Sequence, residues 1–211
     1  MQSLIENPKI IEILKNPPKI LIIEGPDGVG KSFSINQMDG ILSRTHEVHV
    51  LRFPDNRGDI GLRTAILESD MSRFNLGMVF LFLADFVNAY EQYIRPHLND
   101  PEVIFIFDRF IPSSCIYQKV TIDWINRIFS LPQFHDFFET MMTAQYLYLI
   151  PSDMNSHKKR LAQKKGDELN ILDPVGDEQI QRQIINYREF MLKHITQKLL
   201  GSDRVTEISV P

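Results

Sequence analysis

The sequence predicts an α/β fold: a three-layer sandwich with a parallel sheet of about five strands and helices on both faces. Three observations carry that expectation. Short apolar runs rich in β-branched residues recur at 19–23, 103–107 and 146–150, as in strands buried on both faces. Segments with apolar residues at helical spacing separate them, and strands alternating with helices imply a covered parallel sheet. A glycine-rich turn, Gly25 to Ser32, joins the first strand to the next helix.

Residues 1–17 read as an N-terminal extension. Ile10, Ile11 and Leu14 form one apolar helical stripe there, closed by Asn16, Pro17 and Pro18. Residues 18–211 read as a single domain. After the first strand and its turn, a helix runs to about Ser43. Residues 46–53 alternate valines with polar residues and form strand two. A loop from Pro54 to Asp59 leads into a short helix. Residues 73–95 are apolar on nearly every side, so this helix is buried centrally or in a subunit interface. The third strand ends at Asp108-Arg109. After the fourth, Ser152 is the expected N-cap of a helix ending near Gly166. Residues 178–200 carry Ile180, Ile184, Tyr187, Met191, Ile195 and Leu199 at helical spacing, with Gly201 as the cap beyond. Residues 205–210 form a last strand.

Composition narrows the function classes. With 211 residues, 43% hydrophobic and 24% charged, the chain buries a real core and is not disordered. The longest apolar run, 78–84, stops at Asp85, whereas a membrane span needs roughly 20 apolar residues. Glu6, Pro8 and Lys9 break any signal-peptide layout. One cysteine, Cys115, fits a reducing cytoplasm. A net charge of −4 argues against a large nucleic-acid footprint and leaves small phosphorylated ligands open. The six histidines show no metal-ligand spacing.

Gly25-Pro26-Asp27-Gly28-Val29-Gly30-Lys31-Ser32 matches G-x-x-x-x-G-K-[ST], the P-loop, between a buried strand and a helix. Such a loop turns backbone N–H groups inward around a polyphosphate, and the helix N-terminus adds partial positive charge. Lys31 is expected on the β- and γ-phosphates and Ser32 on Mg²⁺. Gly25, Asp27, Gly28, Val29, Gly30, Lys31, Ser32 and Phe33 form the expected ATP site. The motif specifies nucleotide polyphosphate binding and leaves the phosphoryl acceptor open.

The residues around the loop resemble the thymidylate kinase family. Glu24 to Ser32 is similar to that family's loop, which carries an acidic residue inside it. Phe53-Pro54, Leu81-Phe82-Leu83-Ala84, Glu91, Ile94-Arg95-Pro96, Asp108-Arg109-Phe110, Ser113-Ser114, Tyr117-Gln118 and Pro151-Ser152-Asp153 follow in the family's order, over roughly residues 19–200. The resemblance implies transfer of the ATP γ-phosphoryl to dTMP or a related deoxypyrimidine monophosphate, with Mg²⁺, in a homodimer joined through the long apolar helix. It implies that Arg109 bridges the acceptor phosphate and the incoming phosphoryl group. Asp27 contacts the sugar 3′-hydroxyl or closes its own turn. Asp108 assists the metal or caps the next segment. Phe82 stacks on the base or packs in the core, and Tyr117 crowds C2′. Phe53, Pro54, Ser114 and Gln118 complete the acceptor pocket.

Three departures stand out. After Phe53-Pro54 the family places an arginine for the acceptor phosphate; here Asp55-Asn56-Arg57 puts Arg57 one position late. One helical turn after Phe82, a base-bonding arginine is replaced by Phe86, which implies weaker base discrimination. In the lid, about 157–175, Ile171 replaces an arginine, so Lys164 or Lys165 is expected to act, among Lys158, Lys159 and Arg160. Three alternatives stay open: a deoxynucleoside kinase with Asp55 as base, a kinase for a modified pyrimidine, and a nucleotide-binding module without transfer activity.

Overall fold

A computed structural model describes residues 6–55, 62–68, 76–163, 177–193 and 202–210. Its elements, in order, are α1 (Pro8–Lys15), β1 (Ile20–Glu24), α2 (Lys31–Leu42), β2 (Glu47–Arg52), α3 (Leu62–Glu68), α4 (Leu76–Ala89), β3 (Val103–Asp108), α5 (Ile111–Tyr117), α6 (Ile122–Phe129), α7 (His135–Met142), β4 (Gln145–Pro151), α8 (Met154–Gln163), α9 (Asp177–Glu189) and β5 (Val205–Val210). The strands form one parallel sheet in the order β2-β3-β1-β4-β5. The chain builds β1, β2 and β3 on one side and then crosses β1 to add β4 and β5. Ligands bind beyond the carboxyl ends of such strands, where the order reverses. Asp108 is in register there with Ile23 and with Arg52.

Alternation along the strands builds two cores. Ile20 and Ile22 of β1, Phe105 and Phe107 of β3, and Tyr146 and Tyr148 of β4 face α4 to α7 and α9. Leu21 and Ile23, Ile104 and Ile106, and Leu147 and Leu149 face α1 and α2. Side chains on successive strand residues point to opposite faces, so each strand feeds both layers.

Several boundaries differ from the sequence expectation. α1 is capped by Asn7, whose side chain accepts from the Lys9 N–H at 3.0 Å. Its core residue is Ile10, fully buried, with Ile13 and Leu14 beside it, while Ile11 is exposed. The helical period rotates Ile11 off the stripe that Ile10 and Leu14 share. Ser152 is not the N-cap of α8. Its N–H bonds Val210 O at 2.7 Å, which keeps it in the sheet. Asp153 caps instead, accepting from the N–H groups of Asn155 at 3.1 Å and Ser156 at 2.9 Å.

α4 is not apolar-buried all round within one chain. Met78, Val79, Phe82, Leu83 and Phe86 are buried, whereas Phe80 is 51% exposed and Gly77 and Ala84 lie on the same open flank. Past Ala89 the helix widens into a π-turn, Tyr90–Ile94, with both ends buried. Arg57, Lys164, Lys165, Gly166, Ile171, Ile195, Leu199 and Gly201 lie outside the described residues.

Candidate active site

The first functional group is the loop itself. Gly25, Gly28 and Gly30 have φ of +150°, +72° and +102°. A Cβ on Gly25 would meet the Leu149 carbonyl oxygen at 2.5 Å, so only glycine fits where the loop crosses β4. Gly30 turns the chain into α2, which begins at Lys31. The buried Lys31 ammonium donates to Gly25 O at 3.0 Å and Pro26 O at 2.8 Å. Burial, and then repulsion from Arg109, lowers its pKa to about 7.

The second group is Arg109, just past β3. It has φ of 73°, an uncommon and strained backbone for a non-glycine residue. Glu24 holds the turn that follows. This fully buried carboxylate accepts from Phe110 N at 2.7 Å and from Ser113 Oγ at 2.7 Å, and burial raises its pKa. One Arg109 nitrogen donates to Gly25 O at 3.2 Å, Ser113 Oγ at 3.1 Å and Tyr187 OH at 2.7 Å. The other pairs with Asp27. The guanidinium carbon lies 5.2 Å from the centre of the Tyr117 ring. Burial works against its charge, but the Tyr187, Tyr117 and Asp27 oxygens hold the arginine firmly protonated.

Asp27 is a hub. It receives Arg109, the Tyr117 hydroxyl and the Gln183 side-chain amide, the last at 3.2 Å. Burial and the neighbouring Tyr187 raise the Tyr117 pKa well above normal, so the phenol stays protonated and donates. The third cation is Arg160 of α8. Its Nε donates to Gly28 O at 2.9 Å. A cavity of about 400 Å³ lies among Asp27, Gly28, Gly30, Lys31, Ser32, Phe33, Asp108, Arg109 and Arg160. Ser32 and Asp108 thus stand on its walls with oxygens suited to Mg²⁺, a metal that shares its shell with substrate phosphates. Arg52 lies 3.7 Å from Asp108. Among the described residues, no cluster of three metal-binding side chains exists, so a metal here needs phosphate oxygens to complete its shell.

On the acceptor side, Phe53 packs edge-on to Phe86 at 4.6 Å, and Phe86 meets Phe110 at 4.7 Å and Phe82 at 6.4 Å. Phe86 is only 2% exposed and Phe82 9%. Asp55 is buried, and its N–H donates to Asp85 Oδ2 at 2.9 Å. Burial raises the Asp85 pKa to about 6. Ser114 and Gln118 are buried, and Gln118 Oε1 has no hydrogen-bond partner among the described residues.

The structure therefore brings Asp27, Lys31, Arg109 and Tyr117 together around the loop, with Ser32, Phe33 and Asp108 on the same cavity. Four participants escape a sequence reading. Glu24 sits in the loop's lead-in and its anchoring role depends on a partner 86 residues away. Gln183 and Tyr187 lie four apart on α9, hence on one face. Tyr187 reads as part of an apolar stripe, and only its hydroxyl hints otherwise. Arg160, one of five basic residues in its stretch, is the one carried to the loop.

Comparison with known proteins agrees with this geometry. The family described as thymidylate kinase matches residues 23–195. A probable thymidylate kinase of Caldivirga maquilingensis is 35% identical over 115 residues, 52% of this chain and 55% of that protein. A thymidylate kinase of Rhodopirellula baltica is 33% identical over 107 residues, 49% and 43% of the two chains. The chain thus spans about half the length of these two relatives. A third, from Desulfotalea psychrophila, is 24% identical over 156 residues, 74% of each. The solved structure of thymidylate kinase from Candida albicans shares the fold, with a TM-score of 0.56 over 92% of this chain and 84% of that one, at 19% identity. With its loop, its Asp108-Arg109-Phe110 turn and a family match across most of its length, the chain belongs to the thymidylate kinase family.

Proposed function

We propose that this protein transfers the γ-phosphoryl group of ATP to dTMP, or to a closely related deoxypyrimidine monophosphate, giving the diphosphate. The carrying observation is Arg109. It is anchored by the loop carbonyl, Ser113, Tyr187 and Asp27 between the phosphate cavity and the Asp27–Tyr117 cluster. Phosphoryl transfer is mainly positioning and charge neutralisation, and a guanidinium fork can hold donor and acceptor phosphates at once. The names of the curated relatives support the same acceptor.

In this reading the loop N–H groups and Lys31 hold the β- and γ-phosphates. Ser32 and Asp108 hold Mg²⁺, which neutralises phosphate charge when bound. Arg160 supplies the lid's guanidinium, with residues 157–175 as the lid and Lys164 and Lys165 as further cations. Arg57 serves the acceptor phosphate. The acceptor base lies toward Phe82 and Phe86, and its sugar toward Asp27 and Tyr117. Phe86 offers no hydrogen bond, so discrimination among pyrimidines is weak. The orphan Gln118 carbonyl suits a base N–H. A homodimer through the open Gly77, Phe80 and Ala84 flank of α4 would cover its exposed aromatic ring. Among the described residues no helix is long and apolar enough to cross a membrane. A cytoplasmic location suits an ATP-consuming chain with one free thiol.

The test is acceptor-dependent ADP release with ATP and Mg²⁺, comparing dTMP, dUMP, dCMP and thymidine. Turnover of dTMP and dUMP within about tenfold of each other, with none of thymidine, is expected. Arg109→Ala should lower kcat by about 100-fold or more. Turnover of thymidine alone would assign a nucleoside kinase. ATP binding without any acceptor-dependent turnover would assign a binding module.

A further inference from the structure

Gln183 of α9 is the one polar side chain in the Asp27 cluster with an unused group. Its amide nitrogen donates to Asp27 Oδ2 at 3.2 Å and to Tyr117 OH at 3.2 Å. Both amide hydrogens are thereby committed. The orientation is fixed, because a flipped amide would press its oxygen against a carboxylate. Its Oε1 is buried and has no hydrogen-bond partner among the described residues. Bond lengths within the amide keep that oxygen within about 6 Å of the same Asp27 oxygen. Buried acceptors normally find a donor.

Asp27 meanwhile receives three donors already: Arg109, Tyr117 and Gln183. A 2′-deoxynucleoside 5′-monophosphate carries only one hydroxyl on its sugar, at C3′, and it is a hydrogen-bond donor. We propose that Gln183 is a specificity-determining residue whose Oε1 accepts the hydrogen bond of the acceptor's 3′-hydroxyl. Asp27 and Tyr117 act as the mount that aims the amide. This rests on the reading that the acceptor sugar lies at the Asp27–Tyr117 cluster. It assigns α9, which follows the lid segment in the chain, a direct part in acceptor choice.

The experiment is steady-state kinetics at saturating ATP with dTMP and with its 3′-deoxy and 3′-fluoro analogues. The wild type, Gln183→Leu and Gln183→Met are compared. The wild type should prefer dTMP over the 3′-deoxy analogue by about tenfold in kcat/KM. Both variants should shrink that preference to about twofold or less, by raising KM for dTMP while KM for the 3′-deoxy analogue barely moves. An equal loss on both acceptors would mean that Gln183 only supports the fold, and would overturn the proposal. A wild type that does not distinguish dTMP from the 3′-deoxy analogue would overturn the placement of the sugar. A wild type that discriminates while both variants keep the preference would overturn Gln183 alone. Should neither variant fold, the 3′-fluoro analogue decides with the wild type. Fluorine accepts but cannot donate, so it should serve no better than hydrogen. Turnover equal to that of dTMP would overturn the proposal.

Discussion

Lys31 shows how much one residue's surroundings decide. Its ammonium is buried against two loop carbonyls, with Arg109 near enough to repel it, and its pKa falls to about 7. The protonated form is the one that binds phosphate. As pH rises through about 7 the ligand-free protein loses that proton, and ATP must restore it on binding. ATP affinity should therefore weaken above about pH 7, by up to tenfold per pH unit. Calorimetry in buffers of different ionisation heat should show proton uptake at about pH 8, and Lys31→Met should abolish that uptake. The roles of Lys31 and of Ser32 are legible from the motif, because its spacing fixes loop and helix together. Gln183 is not, because a helical period assigns a residue to a face and says nothing of what meets that face. Nor is the close packing of Phe86, which needs Phe53, Phe107 and Phe110 from two other strand ends to be assembled first.

At the scale of the element, the strands were the most legible part, since runs buried on both faces hold little but apolar residues. Caps were less so. Whether Ser152 or Asp153 begins α8 is settled by the hydrogen bond from Ser152 to Val210, a partner 58 residues along the chain. α1 is the element whose standing changes most. Read as an extension, it packs Ile10 into the core shared by α2 and the sheet's rear face. Ile10→Ala should destabilise the protein by about 2–4 kcal/mol in urea unfolding. Ile11→Ala, at an exposed position one residue on, should change stability by less than about 0.5 kcal/mol.

For the whole molecule, α8 docks on the loop through His157 as well as Arg160. His157 is fully buried, and burial, with Arg160 nearby, lowers its pKa to about 4. The unfolded chain binds this proton near pH 6.5, the folded one only near 4. Stability is therefore complete above about pH 6.5 and declines as pH falls toward 4. Urea unfolding should report a loss of about 2 kcal/mol between about pH 7 and pH 5, and His157→Leu should flatten that slope. The order of the sheet carries a consequence of a different kind. β1 lies between β3 and β4, yet it leaves the ribosome first. Both of its edges remain open until residues 103–108 and then 145–151 have been made. Unpaired apolar edges are where nascent chains pair wrongly. Synthesis of this kinase thus has a vulnerable interval built into its topology. α9, which brings Tyr187 to Arg109, arrives later still, so the site takes shape only near the end of translation.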